Sequence, residues 1–261
     1  MLFFLLQKNS WQEIFIQALA LIFVTGICLP IHESAHALSA HWLGDDTGRL
    51  KGRISLNPLA HLDPIGVVMM LLFGFGYAKP VPVNIRNFPP KKRKLYFALT
   101  AIAGPLSNLI LAVLFTVVAY VIVVATASKS GMDLQMLFLY SQTLKGLTHS
   151  QFFAFTASSL ISSGNAFLGG LLLFFYFAAF INVTLAVFNL IPVPPLDGSR
   201  VLTAVLPDRI YYKLLGYERY IMYGMFIVMF ILSRIGISPI GFLGQYVSEG
   251  IYSLVGFLFG F

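Results

Sequence analysis

Long apolar stretches are the feature that most limits how this chain can fold. A helix that crosses a lipid bilayer needs about 20 consecutive, mostly apolar residues. Four stretches are long enough for such a helix: residues 11–43, 95–127, 167–193 and 238–261. A fifth, residues 220–235, is shorter but still compatible with a span. Only 10% of the residues are charged, whereas soluble domains carry about 25%. The sequence therefore predicts an all-α, polytopic, integral membrane protein.

Basic residues cluster in one part of the chain. Nine of the 17 Lys and Arg residues lie between Arg49 and Lys94. In so apolar a chain, such a cluster indicates cytoplasmic loops and not a nucleic-acid surface. The apolar segment 64–78 has basic residues on both sides, and at about 15 residues it is short enough for a re-entrant dip to compete with a span. We expect five spans with this segment as a dip, or six spans if it crosses. The N-terminus is expected outside and the C-terminus inside.

Two pieces that flank this short segment alternate in polarity. The alternation covers residues 49–56, with an interruption at Gly52, and residues 81–85. Period-two patterns of this length are typical of short strands, and Pro82 confines the second strand to an edge. We expect a small β-sheet beside the membrane.

One motif in the first predicted span contains residues that can bind a metal ion and act on a metal-bound water. His32, Glu33 and His36 form a His-Glu-x-x-His pattern, and residues four apart share a helix face, so both imidazoles can reach one metal ion. Glu33 stands where its carboxylate can act on a metal-bound water. Ionisable groups in an apolar helix are costly unless they pair, line a water-filled cavity or bind an ion. A metal site is favoured, and a paired polar cluster without metal is the alternative.

Two residues near the motif are not expected to be ligands. Cys28 lies one turn before His32, but about 12 Å of helix rise separates it from His36, too far for both to bind the same ion. A small packing residue is more typical at Cys28. His41 is displaced around the helix and lies near the polar boundary, where an interfacial histidine is expected.

A catalytic zinc site needs a third protein ligand from elsewhere in the chain. Asp197 is the leading candidate, because it follows a run of prolines that breaks the third long span and irregular backbone at membrane depth is tolerated where it lines a polar cavity. Asp63 is the rival, although it is also explained as a helix cap before Pro64. With residues 64–78 as a dip, the two histidines and Asp197 all lie toward the cytoplasmic side.

The sequence resembles the site-2 protease family of intramembrane zinc metalloproteases. Three elements carry the resemblance: HESAH at 32–36, GPLSN at 104–108 and NLIPVPPLDG at 189–198. They occur in the family's order over roughly residues 20–200, and the form is compact, without the PDZ or CBS domain of many members. The resemblance implies a catalytic core at about 11–200 and a C-terminal helical pair at about 220–261, within a single membrane-embedded domain over 1–261.

The resemblance also implies the chemistry. It assigns one zinc ion to His32, His36 and Asp197, makes Glu33 the base and proton shuttle, and makes Asn189 a group that engages substrate backbone or the oxyanion. The alternative for Asn189 is a helix-end hydrogen bond. The expected substrate is a membrane-spanning protein or peptide, and the expected location is the lipid bilayer of a prokaryotic plasma membrane, as a multi-pass protein. Water is expected to reach the ion from the cytoplasmic side, near residues 49–63.

Two other functions fit a metal site in a membrane protein. One is a non-proteolytic metal-binding protein, such as a transporter or a metal sensor, for which polar residues in several spans and an inverted repeat would be expected. The sequence instead concentrates its polar residues at one site. The other is a binding-only relative of the proteases, against which the intact Glu33 argues.

Overall fold

The computed structural model describes residues 11–73, 78–129 and 148–260, and helices are its main elements. The α-helices are α1 (Trp11–Phe23), α2 (Leu29–Trp42), α3 (Thr47–Leu50), α4 (Pro58–His61), α5 (Pro64–Phe73), α6 (Arg93–Lys129), α7 (His149–Ser162), α8 (Ala166–Asn189), α9 (Asp197–Val201), α10 (Asp208–Gly216), α11 (Glu218–Arg234) and α12 (Pro239–Leu258). The prediction of a helical membrane protein is confirmed.

Three helices within the described ranges are long and apolar enough to cross a membrane. They are Trp11–Trp42, Pro90–Thr126 and Ala166–Asn189, which match the first three predicted spans. Helix α11 has only 17 residues, and α12 carries the polar residues Gln245 and Glu249 in its middle. The predicted total of five to six spans is therefore not confirmed and stays a prediction.

The helix that carries the His-Glu-x-x-His motif changes its hydrogen bonding just before the motif. Residues Val24–Cys28 form a π-helical turn, in which the Leu29 N–H donates to the Val24 carbonyl. Pro30 has no N–H and cannot complete the α-helical bond to Gly26. The wider turn accommodates this interruption and joins α1 to α2 without a break. Helix α2 then carries the motif in its first half.

Helix α8 lies at the centre of the bundle, where it contacts α1, α6, α7 and α12, while α2 packs on α6. Alanines with no exposed surface line these contacts, and small side chains let helices approach closely. They include Ala112, Ala119, Ala178, Ala179 and Ala186. Large apolar side chains such as Ile110 and Leu114 are exposed on the outer face of α6, as a lipid-facing surface requires.

The residues that flank the apolar segment 64–78, between the basic clusters, are paired with each other. Helix α5 rises only about 15 Å, about half of the 30 Å hydrocarbon core of a bilayer. Leu62 and Ala78 form an isolated antiparallel bridge across it, and the Lys79 N–H donates to the His61 carbonyl at 2.7 Å. Residues 74–77 of the predicted dip lie outside the described residues. These bonds hold the two residue pairs that flank the segment next to each other.

The predicted small sheet does not form in the ranges that the structure describes. Residues Thr47–Leu50 make a helical turn instead, because Asp45 Oδ1 accepts from the Thr47 N–H at 3.1 Å and from its hydroxyl at 2.5 Å. Gly52 takes a φ of +66°, in the left-handed region that extended strands do not use. Ile85–Asn87 is a 3₁₀ turn. The strand prediction is wrong here because local side-chain hydrogen bonds compete successfully with extended pairing.

Asp45 ties the end of α2 to the loop before α6. It has no exposed surface, and its carboxylate also accepts from the Asn84 N–H and from the Asn87 side-chain amide, both at 2.7 Å. Burial raises the pKa of Asp45, but the hydrogen bonds from Thr47, Asn84 and Asn87 outweigh it and hold that pKa below its ordinary value. A lowered folded-state pKa adds stability above the ordinary value of 3.8, and this stability is lost as pH falls through the folded-state pKa.

We expect Asp45→Asn to destabilise the protein at neutral pH by about 1–3 kcal/mol, because the new amide turns an N–H group toward existing donors. The wild type should lose stability as the pH falls below 3.8 and through the lower folded-state pKa of Asp45, and the variant should lose less over the same fall in pH. Thermal unfolding in detergent at several pH values measures both effects. Equal acid sensitivity of the two proteins would contradict this account of Asp45.

Candidate metal centre

Helix α2 carries three predicted site residues into the interior of the bundle. His32, Glu33 and His36 are 2%, 9% and 2% exposed. The two histidines are one turn apart, and their Nε2 atoms lie 3.1 Å from each other. The two histidines therefore lie on one face of α2, as their four-residue spacing predicts.

The loop after α8 brings a carboxylate to the same point. Helix α8 ends at Asn189, and α9 begins at Asp197 after the proline-rich turn. Asp197 Oδ2 lies 3.2 Å from His32 Nε2 and 3.1 Å from His36 Nε2. The structure thus brings together all three residues that the sequence nominated as metal ligands.

Gly198 lets this loop fold back tightly enough to deliver Asp197. A Cβ atom on Gly198 would lie 2.3 Å from the Leu190 carbonyl oxygen and 2.6 Å from the Ile191 carbonyl oxygen. These contacts are with backbone, which cannot move aside as a flexible side chain can. The loop therefore needs a residue without a side chain at this position.

The three ligand atoms have the spacing that a zinc ion requires. Tetrahedral zinc with bonds of about 2.0–2.2 Å holds neighbouring ligand atoms about 3.3–3.6 Å apart, and the observed separations of 3.1–3.2 Å are only slightly shorter. Two imidazoles and one carboxylate are a donor set that zinc favours. These residues can hold one divalent ion.

Helix α6 forms the wall behind the imidazoles. The Nδ1 atom of His36 lies 2.7 Å from the Thr100 carbonyl oxygen, so it donates there and leaves Nε2 for a metal. A Cβ atom on Gly104 would lie 2.2 Å from His36 Nε2 and 2.7 Å from His32 Cε1. Gly104 therefore serves the site itself as well as the close approach of the two helices.

A polar segment lies beside Glu33 on the other side of α2. The hydroxyl of Ser34, the next residue, donates to the Ser55 carbonyl at 2.5 Å and accepts from the Ser55 N–H at 3.1 Å. His61 Nε2 donates to the same carbonyl at 2.7 Å. The stretch 49–63, where water was expected to enter, is thus hydrogen-bonded through Ser55 to the helical turn that carries Glu33.

Other residues considered from the sequence lie away from the cluster or are engaged elsewhere. The Asn189 side chain donates to the Leu185 carbonyl at 3.1 Å, which is the helix-end hydrogen bond considered above. Asp63 accepts from the N–H groups of Ile65 and Gly66 and caps α5. Cys28 is a buried free thiol, and His41 pairs with Asp46 at 2.6 Å.

Sequence reasoning missed two partners of the ligands. The Thr100 carbonyl is a backbone group, and no residue type signals which carbonyl will face an imidazole. Arg200 Nη1 lies 3.9 Å from Asp197 Oδ1, and the three-residue spacing in a short helix could have indicated that pair.

Comparison with known proteins agrees with this geometry. The chain is 36% identical over 210 residues to "Putative zinc metalloprotease YwhC" of Bacillus subtilis, an alignment that covers 78% of this chain and 77% of YwhC. It is 29% identical over 194 residues to "Putative zinc metalloprotease Rip2" of Mycolicibacterium smegmatis, covering 72% of this chain and 57% of Rip2. The family model of Peptidase family M50 matches residues 20–232. The chain belongs to peptidase family M50.

This membership confirms the resemblance to the site-2 proteases and the prediction of a membrane-embedded protease. The match to family M50 contains α2, α6, α8 and the loop to Asp197, so it includes every element that contributes to the metal centre. No solved structure matches this M50 chain.

We expect Gly104→Ala to weaken metal binding by at least about 10-fold, because the new methyl group occupies the space of the His36 imidazole. Gly250→Ala is the matched control, since a Cβ atom there meets no atom within 4 Å. Metal content after dialysis, measured by atomic emission, compares the two purified variants. Full metal content in Gly104→Ala would show that the site can shift to accept the methyl group.

Proposed function

We propose that this M50 peptidase hydrolyses peptide bonds of membrane-spanning substrates at one zinc ion held by His32, His36 and Asp197. The observation that carries the proposal is the convergence of three ligand atoms within 4.8 Å of one another. They come from elements as far as 161 residues apart in the chain. Three protein ligands leave a fourth position open, as in catalytic and unlike structural zinc sites. The names of both relatives support zinc as the ion.

Glu33 is proposed as the general base and acid. When bound, zinc supplies Lewis acidity that polarises the scissile carbonyl and acidifies water. Glu33 accepts a proton from the attacking water at a carboxylate oxygen and then delivers a proton to the leaving amine nitrogen. Its position directly after His32 supports this role, because it keeps the carboxylate beside the ligands.

The chain's own groups hold the two imidazoles in the orientation that this chemistry needs. The Thr100 carbonyl accepts from His36 Nδ1 at 2.7 Å, which leaves the Nε2 lone pair free to bind an ion. Gly104 keeps the space of the imidazoles open, and Gly198 permits the tight loop that delivers Asp197. A ligand that is already oriented loses little conformational freedom when the ion binds.

Asn189 is proposed to bind the substrate backbone or the developing oxyanion. It lies at the end of α8, in the segment that leads to Asp197. Its side-chain N–H now donates to Leu185 and would exchange that acceptor for a substrate oxygen. A half-buried position at a helix end supports such an exchange, because it leaves the amide room to turn.

A substrate that itself lies in the membrane is supported by the burial of the site among long apolar helices. Such a substrate helix must unwind locally, because helical carbonyls are occupied by hydrogen bonds within the helix. We propose a multi-pass protein of the plasma membrane with five spans, residues 64–78 as a dip, and one domain over residues 1–261. The bond between His61 and Lys79 supports the dip.

Glu33→Gln is expected to keep the zinc ion and to lower peptide-bond cleavage by about 10²–10⁴-fold, because proton transfer is lost while the ligands remain. Purified variant and wild type would be compared for zinc content and for cleavage of membrane-spanning peptides in detergent. Glu13→Gln, a like change in the first turn of α1, is the matched control. Retained cleavage in Glu33→Gln would remove Glu33 from the mechanism. Zinc binding without cleavage by the wild type would favour a transporter or sensor.

Asp197→Ala is expected to lose most of its zinc, because two imidazoles alone make an incomplete site. Asp63→Ala, which removes the rival carboxylate, should keep one zinc ion per chain but weaken the cap of α5. Zinc stoichiometry of the two purified variants measures the difference. The reverse pattern would return Asp63 to the ligand set.

A further inference from the structure

The two metal-binding histidines differ in what their second ring nitrogen contacts. His32 and His36 both turn Nε2 toward Asp197, so Nδ1 is the outer nitrogen of each ring. His36 Nδ1 has the Thr100 carbonyl as its partner at 2.7 Å. His32 Nδ1 is buried and has no hydrogen-bond partner among the described residues. A metal-binding histidine almost always donates this second N–H to an acceptor that fixes its tautomer and orientation.

Three residues at successive turns of α6 lie on the face that is turned toward the metal site. Thr100, Gly104 and Asn108 are four residues apart and therefore share this face. Thr100 contacts His36, and Gly104 faces the rings of both His36 and His32. The two helices run in opposite directions here, so residues later in α6 lie opposite residues earlier in α2. Asn108 follows one turn beyond Gly104, whose Cβ position meets the His32 ring.

Asn108 is buried in a way that calls for a polar partner. It has no exposed surface, and both its Oδ1 and Nδ2 atoms are without hydrogen-bond partners within the described part of the chain. Its helix is among the most apolar in the molecule. In a membrane the surrounding lipid supplies no hydrogen bonds, so a buried amide must find its partner inside the protein.

We propose that one buried water lies between His32 and Asn108, where it accepts from the His32 Nδ1–H and donates to the Oδ1 of Asn108. A buried water needs about two to four polar partners. His32 Nδ1 and the two amide atoms of Asn108 provide three. Asn108 is then a positioning residue that acts through His32.

This inference rests on the proposed zinc site, and it predicts that Asn108 affects the affinity of that site for zinc. Partners of this kind typically change metal affinity by about 10- to 100-fold. Asn108→Leu keeps the approximate volume and removes the acceptor. Asn108→Asp keeps a carbonyl oxygen that can accept. Asn182→Leu is the matched control, since it removes a buried amide of equal burial from the facing helix α8.

The experiment measures zinc release to a chromophoric chelator from each purified protein in detergent, together with thermal unfolding of the metal-free forms. We expect Asn108→Leu to bind zinc about 10- to 100-fold more weakly, and Asn108→Asp and Asn182→Leu to bind it like the wild type. Metal-free Asn108→Leu should unfold close to the wild-type temperature, because the removed amide has no direct hydrogen-bond partner among the described residues. Cobalt substitution should give an altered visible spectrum in Asn108→Leu and an unaltered one in Asn182→Leu.

Three results would overturn the proposal. They are unchanged zinc affinity in Asn108→Leu, weaker zinc binding in Asn182→Leu but not in Asn108→Leu, and a loss of affinity that a lower unfolding temperature of the metal-free protein accounts for. A failure of the zinc site itself has a different signature, because Asp197→Ala would then release zinc no faster than the wild type.

Discussion

The fold depends on the contact between Asp197 and the two histidines of α2. Ionisable side chains within a bundle of apolar helices are costly when they stand alone. Here their ligand atoms lie 3.1–3.2 Å apart, so each group is compensated by the others and by the ion they are proposed to hold. The contact joins the first long helix to the segment that follows α8, across 161 residues. The packing of α8 on α6 and of α6 on α2 serves this junction.

Residues that lack a side chain or an N–H shape the backbone around this junction. Pro30 interrupts the α-helical ladder, and the π turn before it leads into the motif. Gly198 lets the loop after α8 turn back on its own carbonyls, and Gly104 leaves the space that the imidazoles occupy. A methyl group at either glycine would collide with a neighbouring group. Both positions therefore determine the geometry of the metal centre, although neither glycine is a ligand.

Helix α6 combines two surfaces that face different surroundings. Its outer face exposes large apolar residues such as Ile110 and Leu114, which suit a lipid environment. Its inner face presents the Thr100 carbonyl, the bare backbone of Gly104 and the amide of Asn108 at intervals of four residues. At Thr100 and Gly104 this face meets the histidines that are proposed to bind zinc. Polar groups in a membrane protein are expected where they serve a site, because lipid cannot satisfy them.

Three of the long spans, the shared face of His32 and His36 and the position of Asp197 beside them could be predicted from sequence alone. Each depends on composition, on helical periodicity or on a local break at prolines. The strands at residues 49–56 and 81–85 could not be judged in that way, because hydrogen bonds from Asp45 convert the expected extended run into a turn. The Thr100 carbonyl and the space at Gly104 depend on how α6 approaches α2, and the hydrogen bond of Asn189 depends on how α8 ends. Local sequence carries the period of a helix and the chemistry of its residues, whereas the identity of the backbone group that meets a distant side chain is decided only when the helices pack.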